Sequence, residues 1–181
     1  MEMPCMNGMI VVDVEKCLAC GTCRLECAVA HSASKSLFEA IWEEPRPQPR
    51  VTVEAVEDVC VPMQCRHCED APCIAVCPTH GLSRADEDSP VVADPELCIG
   101  CKMCVLVCPF GSIRMRRDGK AVIKCDLCIE RLHAGQEPAC VAGCPTGALR
   151  FSTAEEAAAQ ARKRAAGKVL AAARKGLIVQ N

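Results

Sequence analysis

Apolar residues along the 181-residue chain come in short bursts, not in long periodic runs. Met9–Val14 (MIVVDV) and Val51–Val56 (VTVEAV) are rich in β-branched residues and read as strands. Shorter candidates recur at Pro90–Ala93, Ser112–Met115, Ala121–Lys124 and Ala148–Ser152. Asp118-Gly119 stands between two of these and signals a hairpin turn. Pro45-Arg-Pro-Gln-Pro49 reads as an extended linker, because proline fixes φ and removes a donor. Each Cys-x3-Cys-Pro segment predicts a short helical turn that stops at its proline.

A helical period appears only beyond Thr153. Ala158, Ala161, Ala165, Val169 and Ala172 recur at helical spacing. Thr153-x-x-Glu156 suits a capping box, with Glu155 and Glu156 in the favourable first turn. A helix is expected to about Lys175, weakened by Gly167 and capped by Gly176. Its apolar stripe is expected to dock on the body of the protein, or else on a partner.

Composition changes the picture of the core. Aromatic residues make up 2%, with no tyrosine, three phenylalanines and the single Trp42, while cysteines number 18. So few large side chains leave little to bury, and small folds short of core use disulfides or metals. The N-terminal residues MEMPCMNGMIVVDVEKC show no basic region leading into a long apolar stretch, so no leader is expected. Arg162, Lys163, Arg164, Lys168, Arg174 and Lys175 interrupt the C-terminal alanines, so no membrane helix is expected. The expectation is a cytoplasmic protein, peripheral to a membrane only through a partner, in a reducing compartment where clustered thiols bind metal.

Net charge is −2 but unevenly placed: residues 39–99 carry four positive and thirteen negative charges, residues 100–181 fourteen positive and six negative. Such asymmetry suits steering of different partners to different faces. Equally, the cations can offset metal-bound thiolates. Nucleic acid is a poor partner, since the basic stretch lacks interleaved aromatics.

Sixteen cysteines fall into four groups: Cys17-x2-Cys20-x2-Cys23-x3-Cys27, Cys65-x2-Cys68-x4-Cys73-x3-Cys77, Cys98-x2-Cys101-x2-Cys104-x3-Cys108 and Cys125-x2-Cys128-x11-Cys140-x3-Cys144. Proline comes directly after Cys77, Cys108 and Cys144, but Ala28 comes after Cys27. A cubane [4Fe–4S] cluster needs four thiolates, three of which a tight Cys-x2-Cys-x2-Cys loop supplies while the fourth arrives from elsewhere. Four groups therefore predict four [4Fe–4S] clusters and a role in electron transfer. Tetrahedral zinc prefers two well-separated Cys-x2-Cys pairs, so a zinc-stabilised interaction module is the weaker alternative. Cys5 and Cys60 are left over and read as free thiols.

The order and spacing of all four groups resemble the four-cluster iron–sulfur subunits of molybdopterin oxidoreductase, formate dehydrogenase and hydrogenase complexes, over about residues 9–151. The segments Cys27-Ala-Val-Ala-His31-Ser-Ala-Ser-Lys35 and Pro45-Arg-Pro-Gln-Pro-Arg-Val51 look like the iron–sulfur protein of nickel carbon monoxide dehydrogenase. The resemblance implies an α+β fold: two fused ferredoxin-like dicluster units related by a pseudo-twofold axis, plus a C-terminal helix. Residues 1–60 with 119–152 would form the outer unit, 61–118 the inserted unit and 153–181 the tail. It also implies the ligand sets. Cys17, Cys20 and Cys23 would be joined by Cys144. Cys125, Cys128 and Cys140 would be joined by Cys27. Cys65, Cys68 and Cys73 would be joined by Cys108. Cys98, Cys101 and Cys104 would be joined by Cys77. Ala28 in place of proline should alter geometry more than ligation.

His67, inside Cys65-Arg-His-Cys68, is expected beside a cluster, where it would tune rather than ligate. His31 and His80 come shortly after closing cysteines and are expected close behind the ligands or at the surface, and His133 at the surface. No nucleophile with its base, proton-transfer pair or phosphate-cradling loop is apparent, so no catalytic residue is assigned. The resemblance implies a carrier that takes electrons from carbon monoxide dehydrogenase and passes them to a hydrogenase or an NAD(P)-linked flavoprotein. A formate dehydrogenase or other molybdopterin enzyme is the alternative donor.

Overall fold

The computed structural model describes residues 8–175. Cys5 and the expected Gly176 cap lie outside the described residues. The architecture is a mixture of short helices and four two-stranded antiparallel sheets. Strand β1 (Met9–Val12) pairs with β8 (Leu149–Ser152), in register Met9 to Ser152 and Val12 to Leu149. Hairpins join β2 (Thr52–Val56) to β3 (Val59–Met63), and β6 (Arg114–Met115) to β7 (Val122–Ile123). Strand β4 (Leu82–Ser83) pairs with β5 (Val92–Ala93).

Helices α1 (Thr22–Ala30), α3 (Pro72–Ala75), α4 (Met103–Val107) and α6 (Ala139–Ala142) each carry the third cysteine of a group. Proline ends α3 and α6 as expected: Cys77 and Cys144 leave the helix immediately before Pro78 and Pro145. Helix α1 packs against α6, and α3 against α4. The first pairing is close. A Cβ at Gly143 would come within 2.4 Å of the Glu26 side chain and 3.2 Å of the Ala139 carbonyl. Helices α2 (Leu37–Ala40) and α5 (Ile129–His133) are single turns in the connecting segments.

Two buried cores result. One gathers Ile10, Val51, Leu127, Val141 and Leu149 around Cys23, Cys27, Cys125 and Cys140. The other gathers Leu82, Val91, Ile113 and Val122 around Cys73 and Cys104. The large aromatics contribute little: Trp42 and Phe38 are 80% and 81% exposed. Full burial of an aliphatic side chain is worth roughly 1.5–3 kcal/mol, and each core has only a few.

Three expectations change. Strand β3 was not anticipated. It places Cys60 opposite Ala55, and its two-residue loop turns through Glu57 at φ 52° in place of a glycine. The proline-rich segment is not a free spacer: Arg114 donates to the Pro49 carbonyl, and the Arg117 N–H donates to Gln48 Oε1 at 2.8 Å. Helix α7 (Ala154–Arg174) has the capping box, with Glu156 N–H to Thr153 Oγ1 at 3.2 Å and Thr153 N–H to Glu156 Oε2 at 3.0 Å. No residue of α7 is buried, however. Alanine methyls offer too little area to hold it on the body, and Arg164 instead ties it to the buried Asp13 at 2.7 Å. Among the described residues no helix is long and apolar enough to cross a membrane.

Candidate functional site

Four loops repeat one backbone device. The residue before the second cysteine of each group is left-handed: Ala19 (φ 56°), His67 (49°), Gly100 (68°) and Leu127 (58°). Only one of these is glycine, and the conformation costs an ordinary residue about 1–2 kcal/mol. At Gly100 even the glycine is crowded, since a Cβ would meet the Lys120 carbonyl at 3.0 Å. The strain has a use: successive N–H groups turned inward form a concavity that favours an anion. The His67 and Leu127 N–H groups lie 3.4 Å from the sulfurs of Cys65 and Cys125.

The cysteines converge in four places. One small cavity is lined by Cys17, Cys20, Cys23 and Cys144. A second is lined by Cys65, Cys68, Cys73 and Cys108, and a third by Cys77, Cys98, Cys101 and Cys104. Cys27, Cys125 and Cys140 sit together in a hydrophobic core, with Cys128 buried beside them.

Thiol electrostatics repeat as well. Burial pushes the third cysteine of each group upward: Cys23 and Cys73 are raised, Cys104 to about 11, and Cys140 further still. Burial pushes Cys125 up strongly too. At Cys77 and Cys144 burial also pushes upward, but backbone N–H groups, led by those of Leu82 and Leu149, hold both below the ordinary thiol value. A buried thiol keeps its proton unless a cation replaces it. Apolar pockets with four cysteine sulfurs, fringed by inward N–H donors, fit a metal–sulfide cluster: iron would take the thiolates and the N–H groups would face the sulfurs.

The histidines diverge. His80 and His133 are exposed, as expected. His67 is half-buried, with both ring nitrogens buried and neither hydrogen-bonded, and desolvation, with the charge of Lys124, holds it down at about 3. His31 is engaged: Nδ1 lies 2.7 Å from the Cys27 carbonyl, and Nε2 lies 3.1 Å from Asp126 Oδ1. Arg50 donates to Asp126 Oδ2. The ligand atoms of His31, Asp126 and Cys128 also lie within 4.8 Å of one another. Nothing in the sequence singles out Arg50, Asp126 or the buried Lys124. Ala28, where the other groups have proline, is a signal for His31 alone.

These features define an iron–sulfur protein of the electron-transfer class, carrying [4Fe–4S] clusters. The sequence profile of the 4Fe-4S dicluster domain matches residues 56–154, and the chain belongs to that family. It is similar to an iron-sulfur protein of Rhodospirillum rubrum, 43% identical over 80% of this chain and 82% of the relative. The electron transport protein HydN of Escherichia coli K12 is 35% identical over 89% of this chain and 98% of its own length. The thiosulfate reductase electron transfer subunit PhsB of Salmonella typhi is 37% identical over 82% and 77%.

Proposed function

We infer that the chain is the electron-carrying subunit of a carbon monoxide-oxidising system, taking electrons from carbon monoxide dehydrogenase and delivering them to a hydrogenase or an NAD(P)-linked flavoprotein. It would act in the cytoplasm and meet a membrane only through a partner. The clusters supply reversible one-electron exchange when bound. The protein's part is to hold them, keep water from the sulfurs and set their potentials.

The ligand sets proposed are Cys17, Cys20, Cys23 with Cys144; Cys65, Cys68, Cys73 with Cys108; Cys98, Cys101, Cys104 with Cys77; and Cys125, Cys128, Cys140 with Cys27. The observation that carries this reading is the grouping of cysteines around three separate cavities, each joining three residues of one group to the closing cysteine of another. It fits two ferredoxin-like units related by a pseudo-twofold axis: residues 1–60 with 119–152, and residues 61–118, with 153–181 as a tail. The two separate cores and the pairings of α1 with α6 and α3 with α4 support two units, with Val122 of residues 119–152 reaching into the second core. Its joints fall inside the β2–β3 and β6–β7 hairpins.

The choice of partner rests on the residues from Cys27 to Val51. Anaerobic mixing with carbon monoxide dehydrogenase and carbon monoxide tests it: the visible absorbance of the clusters should bleach within the mixing time. A second reading makes the donor a formate dehydrogenase or another molybdopterin enzyme, and is favoured by relatives named as reductase subunits. Bleaching by formate with formate dehydrogenase, and none by carbon monoxide, would transfer the conclusion to that reading.

A further inference from the structure

One cavity, of about 330 Å³, has no cysteine in its walls. It opens where three segments meet: the proline-rich stretch 45–50, strand β5 with Pro95, and the β6–β7 hairpin as it runs on to Lys124 and Asp126. The proline stretch and the hairpin form facing walls. They are tied together beside the cavity, since Arg114 donates to the Pro49 carbonyl and the Arg117 N–H donates to Gln48 Oε1 at 2.8 Å. Proline at 45, 47 and 49 fixes φ along the first wall, so its side chains are presented from a stiff backbone.

Both walls carry guanidinium groups. Arg46 and Arg50 come from the proline stretch, Arg116 and Arg117 from the hairpin, and Lys124 adds a fifth cation to the lining. Three carboxylates share it, and each is already engaged. Asp126 takes the Arg50 guanidinium, Asp118 lies 3.4 Å from Arg116 Nε, and Glu43 accepts the Ala33 and Ser34 N–H groups. Five cations against three carboxylates leave a surplus of at least two positive charges, whatever the state of His31 at the edge. Among the described residues neither the Arg46 nor the Arg117 side chain has a hydrogen bond or ion pair, and both residues are exposed. Like charges gathered on one cavity repel, and an anion between them offsets the cost.

The charge and the space together select the anion. A guanidinium fork matches the paired oxygens of a carboxylate or a phosphate. A single carboxylate brings one charge and two oxygens, and one arginine satisfies it. A phosphate monoester brings about −1.5 to −2 charge and three oxygens, enough to engage both free forks and to match the surplus. The volume exceeds what a bare phosphate fills, because a water molecule takes about 30 Å³ of liquid. It stands at the small end of ligand pockets, which run from about 300 to 1,000 Å³. Pro45, Pro47, Val92 and Val122 supply apolar wall for a small organic body.

We propose that this cavity binds the phosphate monoester of a small organic molecule, its phosphoryl oxygens held between Arg46 on one wall and Arg117 on the other. The site is separate from the cluster ligands, none of which lines it. The test is isothermal titration calorimetry of the anaerobic holoprotein at low ionic strength, with phenyl phosphate, inorganic phosphate and benzoate as probes. Phenyl phosphate should bind at one site per chain, more tightly than either of the others. Arg46→Ala and Arg117→Ala should each weaken it about tenfold or more, whereas Arg162→Ala, which removes the same charge from exposed α7, should leave it unchanged. An unaltered cluster spectrum shows that each variant is folded. On the wild type, phenyl phosphate should also shield Arg46 and Arg117, but not Arg162, from phenylglyoxal, read by mass spectrometry. No binding, equal weakening by Arg162→Ala, or cavity arginines left unshielded would overturn the site. Benzoate binding as tightly as phenyl phosphate would overturn the choice of phosphate, and inorganic phosphate doing so would overturn the organic body.

Discussion

Replacing Lys124 with methionine should destabilise the holoprotein substantially, although methionine matches its length and suits an apolar site. Lys124 is 2% exposed, and its Nζ donates to the carbonyls of Val91 and of Cys125, the latter at 2.7 Å. Its charge also acts on Cys73 and Cys125, which lie in different cores. Charge-assisted hydrogen bonds are worth about 1.5–3 kcal/mol each, so the two together give roughly 3–6 kcal/mol. Against this stands the desolvation of the ammonium, several kcal/mol. The tie is broken by what stays behind. Methionine would leave the negative charge of the neighbouring thiolate-bound clusters buried without its cation, and removing one partner of a buried pair costs about 3–5 kcal/mol. The assay is anaerobic guanidinium unfolding monitored by cluster absorbance, with Lys163→Met on exposed α7 as control. A midpoint lowered by about 1 M is expected, with no change in the control. A midpoint equal to or above wild type would refute the reasoning, because desolvation would then outweigh the pairing.

Leu149→Ala should cost about 2–5 kcal/mol, since Leu149 is buried in the core beneath β1 and its loss leaves a cavity; thermal unfolding under argon measures it. Thr153→Ala removes the side-chain acceptor at the start of α7 and should cost that helix about 1 kcal/mol, read as lost far-ultraviolet helicity with iron content unchanged. Glu43 is held below its ordinary value of 4.5, first by the Ser34 hydroxyl and then by the Ser34 and Ala33 N–H groups. Its contribution is therefore present above the unfolded carboxylate value and lost as pH falls through the lower folded one. Hydrogen-exchange protection at Ala33 and Ser34, taken relative to their intrinsic rates, should fall across that acid window, and Glu43→Gln should abolish the dependence.

The sequence made the sites legible because thiolate spacing is a covalent constraint. A Cys-x2-Cys-x2-Cys loop can wrap little besides a cluster, whatever surrounds it. The outer strands were legible for a similar reason: MIVVDV and the run before Thr153 are β-branched or apolar bursts bounded by cysteine and threonine. The β3 strand was hidden because its turn uses Glu57-Asp58 where a glycine would have announced a hairpin. Docking of α7 on the body is not seen, because helical spacing of alanines shows which side is smooth, not that the body covers it. His31 was placed only loosely. Its contact with Asp126, which Arg50 also binds, joins residues that are distant in sequence and carry no motif. The single local clue was an alanine where a proline would have ended the helix.

The pairing of β1 with β8 also bears on how the chain is made. During synthesis Met9–Val12 leaves the ribosome long before its partner Leu149–Ser152. The β4–β5 pair and the α3–α4 contact need only residues that appear together in mid-chain. Under the proposed ligand sets, iron delivery then has an order in time: the middle of the protein can close around its metal while the polypeptide is still growing, whereas Cys17, Cys20 and Cys23 must wait, reduced and open, for Cys144.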